Sequence, residues 1–391
     1  MKKAKPDTIL THAGNNPRGN HGIVNPPVYH ASTVLFPTVE SLEDAGHAFD
    51  GVRYGRIGTP TSQAFEAAVA ELEGAYKAVT APSGLAAITT ALLAFVAAGD
   101  HILVSDSVYG PNRLFCSDML KRMGVETEFY DPLIGAGISR LMRPNTRVVF
   151  VESPGSLTFE IQDVPAIAAA AKDAGAVVMI DNTWATPLFF RPFDHGVDLS
   201  IHAATKYMVG HSDAMLGVIT ARTPELWHQL KRYAVQLGTC AGPDDIYLGL
   251  RGLRTMGTRL RQHQATGIEL ARWLQNRPEV ARVIHPALPD DPGHMLWRRD
   301  FLGASGLFAM ELKPVSRQAI SAFLNGMELF GMGYSWGGYE SLILPASPEK
   351  LRTASTWISR GPMIRLHAGL EDVGDLIADL ERGLTRLGEA A

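Results

Sequence analysis

Residues 198–213 read DLSIHAATKYMVGHSD, and this stretch decides the fold class. A short apolar run leads into small residues, then Thr205 and Lys206, and a turn of Gly, His, Ser and Asp follows. We interpret the apolar run as a buried strand, so Lys206 leaves a strand end where a charged amine is costly. A lysine in such a place is suited to forming a Schiff base, because only the neutral amine attacks an aldehyde. The alternative is a strand-end lysine whose ammonium group reaches water.

A second strand end lies upstream, where the apolar run 176–180 is closed by Asp181. A continuous apolar run is typical of a strand buried on both faces of a parallel sheet. Ligands of open α/β sheets bind outside the carboxyl ends of the strands, so we expect Asp181 and Lys206 on the same edge. A carboxylate that keeps a ring nitrogen protonated and a lysine that carries an aldehyde together fit pyridoxal phosphate. Taken alone, Asp181 fits a helix cap equally well.

Composition and charge limit the class of protein. The 391 residues are 46% hydrophobic and 19% charged, a globular composition whose length favours two domains. The formal net charge of −4 gives no reason to expect nucleic acid or an anionic membrane as a partner. Cys116 and Cys240 match no metal-ligand spacing, so we predict no metal site. They fit a reducing compartment, and the start has no apolar segment, so we expect a cytoplasmic protein.

Strands and helices alternate through the middle of the chain, which favours a mostly parallel α/β sheet. The predicted strands are 101–104, 125–130, 147–151, 176–180 and 214–220, and the predicted helices between them are 113–123 and 164–173. Before them, apolar residues at spacings of three and four from Phe65 to Val79 predict one helix.

We divide the chain into three parts. Residues 1–60 are rich in Gly and Pro, and we expect an irregular arm that lies over another subunit. The breaker cluster at 238–243 predicts the boundary between a large domain, 61–242, and a smaller α/β C-terminal domain, 243–391. The second domain is predicted to contain helices at 258–276, 317–324 and 370–387 and strands at 306–312 and 363–367.

Three features of the first two parts suggest a site for a phosphorylated, flat ligand. A Ser-Gly turn at 83–84 opens an Ala/Leu helix whose N-terminus would attract an anion, although an ordinary N-cap fits equally well. Tyr54 and Arg56 stand among glycines, where a guanidinium suits a phosphate, although a solvated loop arginine is common. Tyr109 follows the strand 101–104 and is placed either to stack on a ring or to pack.

The C-terminal part adds two features. Residues 334–342, YSWGGYESL, form an aromatic loop broken by glycines. Arg365 interrupts the apolar strand 363–367, and a buried arginine needs an anionic partner. An internal acid and a substrate carboxylate are both possible partners.

With these residues assembled, the chain resembles the Cys/Met-metabolism (trans-sulfuration) family of pyridoxal-phosphate enzymes, from Thr8 to near the C-terminus. Within that family it is most similar to the bacterial cystathionine β-lyases. The stretches that carry the resemblance are ESPGSLTFE at 152–160, AATKY at 203–207 and SWGGYESL at 335–342. It implies fold type I, similar to aspartate aminotransferase, with a large, mostly parallel sheet domain and a smaller α/β domain.

The resemblance also implies roles for single residues. It implies that Lys206 binds the aldehyde of pyridoxal 5′-phosphate, that Asp181 pairs with the pyridine nitrogen and that Tyr109 stacks on the ring. The residues implied to hold the phosphate are Gly84, Leu85 and Thr205, together with Tyr54 and Arg56 of a neighbouring subunit. The residues implied to bind the substrate are Arg365 at the α-carboxylate, with Ser335, Trp336 and Tyr109 beside it. The residues implied to be catalytic are Lys206, Tyr109 and Tyr54.

Three positions depart from the family pattern. Ala203 stands where many members have Ser, which removes one hydrogen bond to the phosphate. Leu85 replaces a frequent Met, but it would bind through its backbone N–H. Pro111 stands where the methionine γ-lyases carry Cys, which argues against γ-lyase chemistry.

The implied activity is β-elimination of cystathionine and related cysteine S-conjugates to homocysteine or another thiol, pyruvate and ammonia. This reaction would serve methionine biosynthesis, in a homotetramer built as a dimer of dimers. The nearest alternative is a γ-synthase or γ-lyase on the same fold. A nicotinamide dehydrogenase is disfavoured because no G-x-G-x-x-G follows a strand. A non-catalytic binding protein is disfavoured by Lys206, Asp181 and Arg365.

Overall fold

The computed structural model describes residues 4–45, 49 and 51–390, and its large part is built on a seven-stranded sheet. The strands are β1 (Lys77–Ala81), β2 (His101–Ser105), β3 (Glu126–Tyr130), β4 (Thr146–Glu152), β5 (Val177–Asp181), β6 (Leu199–His202) and β7 (Gly217–Ala221). Their order across the sheet is β1-β7-β6-β5-β4-β2-β3. Strand β7 runs antiparallel to both of its neighbours, and the other adjacent pairs are parallel. The predicted mostly parallel sheet is therefore confirmed.

Helices cover both faces of this sheet, which explains why its central strands β4 and β5 are largely apolar. The helices of this part are α1 (Pro6–His12), α2 (Val39–Asp44), α3 (Pro60–Glu73), α4 (Gly84–Phe95), α5 (Gly110–Leu114), α6 (Val164–Asp173), α7 (Thr186–Phe189) and α8 (Pro224–Leu237). Residues Phe115–Leu120 continue α5 as π-helix, and Pro17–Gly19, Gly135–Leu141 and Pro192–His195 are 3₁₀ turns. On one face Phe150 packs with Leu92 of α4 and Leu230 of α8. On the other face Val149 packs with Ile167 of α6.

The C-terminal part has a second, antiparallel sheet of four strands in the order β10-β11-β9-β8. These strands are β8 (Val280–Ile284), β9 (Leu307–Leu312), β10 (Leu342–Ala346) and β11 (Met363–His367). Its helices are α9 (Pro243–Gln275), α10 (His294–Asp300), α11 (Arg317–Asn325) and α12 (Val373–Glu389), and Pro348–Lys350 is a 3₁₀ turn. Phe323 of α11 and Leu380 of α12 pack on Phe308 of the sheet and form the core of a smaller α/β unit.

The helix predicted from Phe65 to Val79 is wrong in its second half. Helix α3 ends at Glu73, because Gly74 takes a left-handed conformation with φ of 75° and caps the helix through its N–H. Val79 lies on β1, where it pairs with Ile219 of β7. The apolar spacing continues past the end of α3 because the residues of β1 are also buried.

Helix α9 begins at Pro243, well before the predicted residue 258. Glycines in its first half obscured the helical period, and Gly252 is required there: an added Cβ would lie 2.2 Å from the carbonyl oxygen of Met208. Leu250 packs in the core of the large sheet, whereas Leu270 packs in the core of the small one. Since α9 contributes to both cores, the division at 242/243 remains a prediction.

The N-terminal arm is more regular than predicted. Helix α1 packs on α9 of the same chain, with Leu10 buried, and Arg254 donates to the carbonyl oxygens of Leu10 and Ala13 at 2.7 and 2.9 Å. Residues 1–3, 46–48 and 50 of the predicted arm lie outside the described residues. Among the helices that the structure describes, none has the length and apolar character needed to cross a membrane.

Candidate active site

Lys206 lies in the turn that follows β6, at the carboxyl edge of the large sheet, and is partly buried. Its Nζ donates to the Oγ of Ser335 at 2.6 Å and lies 5.4 Å from the ring centroid of Trp336. Burial, together with the charge of Arg365, lowers the pKa of Lys206 to about 8. About half of the amine is therefore in its neutral, nucleophilic form at pH 8, where a lysine with the usual pKa is almost fully protonated.

Asp181 closes the neighbouring strand β5. The N–H and the hydroxyl of Thr183 both donate to its Oδ1, at 2.9 and 2.5 Å. The Thr183 hydroxyl oxygen also accepts the N–H of Ala203 at 2.9 Å, which ties the end of β5 to the turn that carries Lys206. Burial raises the pKa of Asp181, against the hydrogen bonds from Thr183 and the charges of His202 and Lys206.

A second carboxyl group, that of Glu152, ends β4 directly beside Asp181. Its Oε2 accepts the backbone N–H of Tyr109 at 2.7 Å and so fixes the start of the loop after β2. Burial and the charge of Asp181 raise the pKa of Glu152 well above its usual range. Sequence reasoning missed Glu152 as a site residue, although its position after the apolar run 148–151 is the same signal that found Asp181.

Tyr109 stands at the rim of this edge, with 42% of its surface exposed. Burial of the rest, with the charges of Asp181 and Glu152, raises the pKa of its phenol. Tyr109 therefore lies beside the carboxyl groups of Asp181 and Glu152. This position suits a residue that stacks over a ligand bound at the same edge.

The N-terminus of α4 lies against the Lys206 turn. An added Cβ on Gly84 would lie 2.4 Å from the Cβ of Ala203, so only glycine permits this approach. The side chain of Ser83 accepts the N–H of Ala86 at 3.1 Å. Within the described residues the N–H groups of Gly84 and Leu85 have no hydrogen-bond partner, and the helix presents them to an anion.

Thr205 is engaged elsewhere. Its hydroxyl donates to the carbonyl oxygen of Leu216 at 3.1 Å and accepts the Leu216 N–H at 2.8 Å. A phosphate contact from this hydroxyl would require it to exchange the bond to the Leu216 carbonyl.

Arg365 comes from β11 of the small sheet and reaches the same site. Its Nη2 donates to the carbonyl oxygen of Ser335 at 2.9 Å, and burial lowers the pKa of the guanidinium to about 10. In the part of the chain that the structure describes, no carboxylate pairs with it, so an internal acid does not explain this arginine. The remaining donors of its guanidinium suit a bidentate carboxylate.

Tyr54 and Arg56 are not brought to Lys206 within one chain. They line a cavity of ≈ 290 Å³ beside α8, together with Lys231. The Nη1 of Arg56 donates to the carbonyl oxygen of Val235 at 2.7 Å, and Arg56 and Tyr54 are both exposed. Their predicted role at a neighbouring subunit's phosphate remains a prediction.

The grouped residues fit pyridoxal phosphate. Lys206 offers an amine of lowered pKa, and Asp181 offers a carboxylate at the next strand end. The N–H groups at Gly84 and Leu85 offer an anion site against the same turn, and Tyr109 borders it. A covalent bond to the lysine, a charge partner for the ring nitrogen and a phosphate cradle are the three contacts that such a cofactor requires.

Comparison with known proteins gives a consistent result. Residues 7–385 match the family model described as Cys/Met metabolism PLP-dependent enzyme. The chain is 55% identical over 387 residues to a Rhizobium johnstonii protein provisionally named cystathionine beta-lyase, covering 98% of this chain and 96% of that protein. It is 46% identical over 395 residues to cystathionine beta-lyase MetC of Escherichia coli K12, covering 99% and 100%. The solved cystathionine gamma synthase of Xanthomonas oryzae pv. oryzae superposes with a TM-score of 0.91 at 33% identity, covering 99% and 100%.

Proposed function

This chain belongs to the Cys/Met metabolism PLP-dependent enzyme family, and we propose that it is a carbon–sulfur lyase that removes the β-thiolate of cystathionine. The observation that carries this function is the meeting of Lys206, Asp181 and Arg365 at one edge of the sheet, where no carboxylate of the described residues pairs with the arginine. The cofactor is pyridoxal 5′-phosphate, and the products are homocysteine, pyruvate and ammonia.

The proposed roles follow from the contacts. When bound, pyridoxal phosphate supplies a sink for the electrons released at the substrate Cα. Arg365 binds the α-carboxylate through its free guanidinium donors, which holds the Cα–H bond towards Lys206. The Nζ of Lys206 removes the Cα proton, and its lowered pKa increases the fraction of neutral amine that can act as this base. Asp181 keeps a negative charge next to the ring nitrogen.

The remaining residues position these groups. Glu152 holds the N–H of Tyr109 and thereby the ring that covers the site. Ser335 accepts a hydrogen bond from Lys206 through its hydroxyl and from Arg365 through its carbonyl oxygen. One residue therefore positions both the base and the arginine that binds the substrate carboxylate. Loss of the Cα proton and of the β-thiolate leaves a three-carbon fragment that water converts to pyruvate and ammonia.

A γ-synthase or γ-lyase is the second candidate, because the solved gamma synthase has the same fold. A γ-elimination requires a second proton to be removed, from Cβ. The names of relatives at 46–55% identity favour the β-lyase, and Pro111 after Tyr109 agrees with them.

Product analysis separates these activities. Purified holoenzyme is incubated with L-cystathionine, and the keto acids and thiols are identified by chromatography. We expect pyruvate and homocysteine in equal amounts. Dominant 2-oxobutanoate and cysteine would instead assign a γ-lyase, and the absence of both keto acids would reject the lyase function.

We also propose a homotetramer, as a dimer of dimers that shares its active sites between two chains. Tyr54 and Arg56 are exposed and line a cavity that does not include Lys206 of their own chain, which supports a shared site. We place the protein in the cytoplasm, to which its two free thiols, Cys116 and Cys240, are suited.

A further inference from the structure

The loop Ser335–Gly338 supplies the contacts that join the base to the carboxylate ligand, and its backbone is unusual. Ser335 has a φ of 79°, in the left-handed region that a non-glycine residue seldom adopts, and Gly337 has a φ of 86°. Such a conformation persists only where the surrounding structure holds it. If Ser335 relaxed, its carbonyl oxygen would leave Arg365 and its hydroxyl would leave Lys206.

Gly337 is the point at which this loop is held. An added Cβ there would lie 3.0 Å from the carbonyl carbon of Lys206 and from the nitrogen of Tyr207, so the loop rests directly on the backbone of the lysine turn. The N–H of Gly337 donates to the Nε2 of His367 at 3.0 Å. The loop is thus supported from below by the lysine turn and fixed in direction by one imidazole.

His367 is fully buried on β11, two residues after Arg365. Residues two apart on a strand project from the same face, so one strand carries both the guanidinium and the imidazole. Burial, reinforced by the nearby His263, Arg365 and Lys206, lowers the pKa of His367 to about 3. The ring is therefore neutral, and acceptance of the Gly337 N–H at Nε2 assigns the proton to Nδ1, which is buried and has no hydrogen-bond partner among the described residues. The Gly338 carbonyl oxygen, 3.2 Å from Nε2, is then a contact and not an acceptor.

We propose that His367 is a positioning residue for substrate binding: through its bond to Gly337 it holds Ser335 where Arg365 can present its free donors to the substrate carboxylate. This inference rests on the proposed function, because that function makes a carboxylate the ligand of Arg365. His367 touches neither the substrate nor the reacting atoms.

The test compares three variants. His367→Leu removes the acceptor and keeps most of the side-chain volume. His367→Gln offers the amide oxygen as an acceptor in place of Nε2. His263→Leu is the matched control, because His263 is equally buried, lies 5.2 Å from His367 between ring centroids, and bonds to Ala368 rather than to the loop. If His367→Leu does not fold, His367→Asn replaces it. The Asn side chain is one methylene shorter than that of Gln, so its amide oxygen cannot reach the N–H of Gly337.

The readout is the affinity of each holoprotein for 3-(methylthio)propanoate, a thioether carboxylate without an amino group, measured by calorimetry. This ligand cannot react, so the measurement is independent of turnover. We expect His367→Leu to weaken binding about tenfold, because an N–H loses its acceptor, and His367→Gln to remain within about threefold of the wild type. His263→Leu is expected to lower the unfolding temperature and to leave the affinity unchanged. With cystathionine, KM should rise in His367→Leu more than kcat falls.

Three results would overturn the inference: wild-type affinity in His367→Leu, no recovery in His367→Gln, or an equal loss in His263→Leu. Arg365→Leu separates this failure from failure of the proposed function. If Arg365→Leu binds the carboxylate as well as the wild type, the proposed substrate site is wrong and the role of His367 fails with it. If Arg365→Leu loses binding and His367→Leu does not, only the role of His367 fails.

Discussion

Glu152 and Asp181 lie in direct register on adjacent parallel strands, so that two carboxyl groups meet at the same end of the sheet. Two buried carboxylates side by side cannot both keep their charge at low cost. Asp181 receives two hydrogen bonds from Thr183 and the positive charge of Lys206, whereas Glu152 receives one N–H from Tyr109. The pKa values of both groups are raised, that of Glu152 well above its usual range, so we expect the proton on Glu152 and the negative charge on Asp181.

This division predicts unequal effects of two isosteric substitutions. Glu152→Gln keeps an oxygen for the Tyr109 N–H and replaces a group that is already neutral, so kcat/KM should fall by no more than about threefold. Asp181→Asn removes the anion, and the loss of a charged interaction should lower kcat/KM by about a hundredfold or more. Steady-state kinetics of both purified variants provide the measurement. A larger loss in Glu152→Gln than in Asp181→Asn would show that the negative charge resides on Glu152 and not on Asp181.

The lowered pKa of Lys206 predicts how the unloaded protein takes up its cofactor. Only the neutral amine reacts, so the rate of loading should reach half of its maximum near pH 8 and level off about one pH unit higher, whereas a lysine with the usual value of 10.5 would continue to gain. Because the charge of Arg365 contributes to the lowering, Arg365→Leu should move the plateau to higher pH. Stopped-flow absorbance follows the loading, and borohydride reduction with peptide mapping should find the cofactor on Lys206. A rate that still rises steeply at pH 10 would contradict the lowered pKa.

Arg365→Leu should also weaken substrate binding without removing the cofactor. Loss of a charged hydrogen bond costs about 1.5–3 kcal/mol, so we expect KM for cystathionine to rise by about tenfold or more while the cofactor absorbance persists. Arg360→Leu is the control, since Arg360 is exposed and bonds to Glu311 through its backbone. Unchanged KM in Arg365→Leu would leave this arginine a structural residue.

The parts of the site that follow strand ends could be predicted from the sequence. Asp181 closes one apolar run and Lys206 lies in the turn that follows another, so the ends of the two runs indicate the edge of the sheet at which both side chains lie. Glu152 also closes an apolar run, but its bond to the Tyr109 N–H, 43 residues away, has no signal in the sequence. His367 could not be found in this way, because its role depends on a single N–H group 30 residues away. The apolar spacing also gave wrong bounds for two helices. It continued into β1 because that strand is buried, and it was lost in the first half of α9 because glycines pack closely there. Both effects result from tertiary contacts.

A shared active site predicts complementation between two inactive variants. Arg56 is exposed and donates to the carbonyl oxygen of Val235 on α8 of its own chain. It makes no contact with Lys206 of that chain. If it serves a neighbouring subunit, Arg56→Ala and Lys206→Ala should each be nearly inactive. Unfolded together in equal amounts and refolded, they form mixed dimers in which one site has both defects and the other has neither. Random pairing would restore about a quarter of the wild-type activity, because half of the dimers are mixed and each has one intact site. Mixed dimers are verified with two different affinity tags. If they form and activity does not return, Arg56 serves its own subunit and the shared site is wrong.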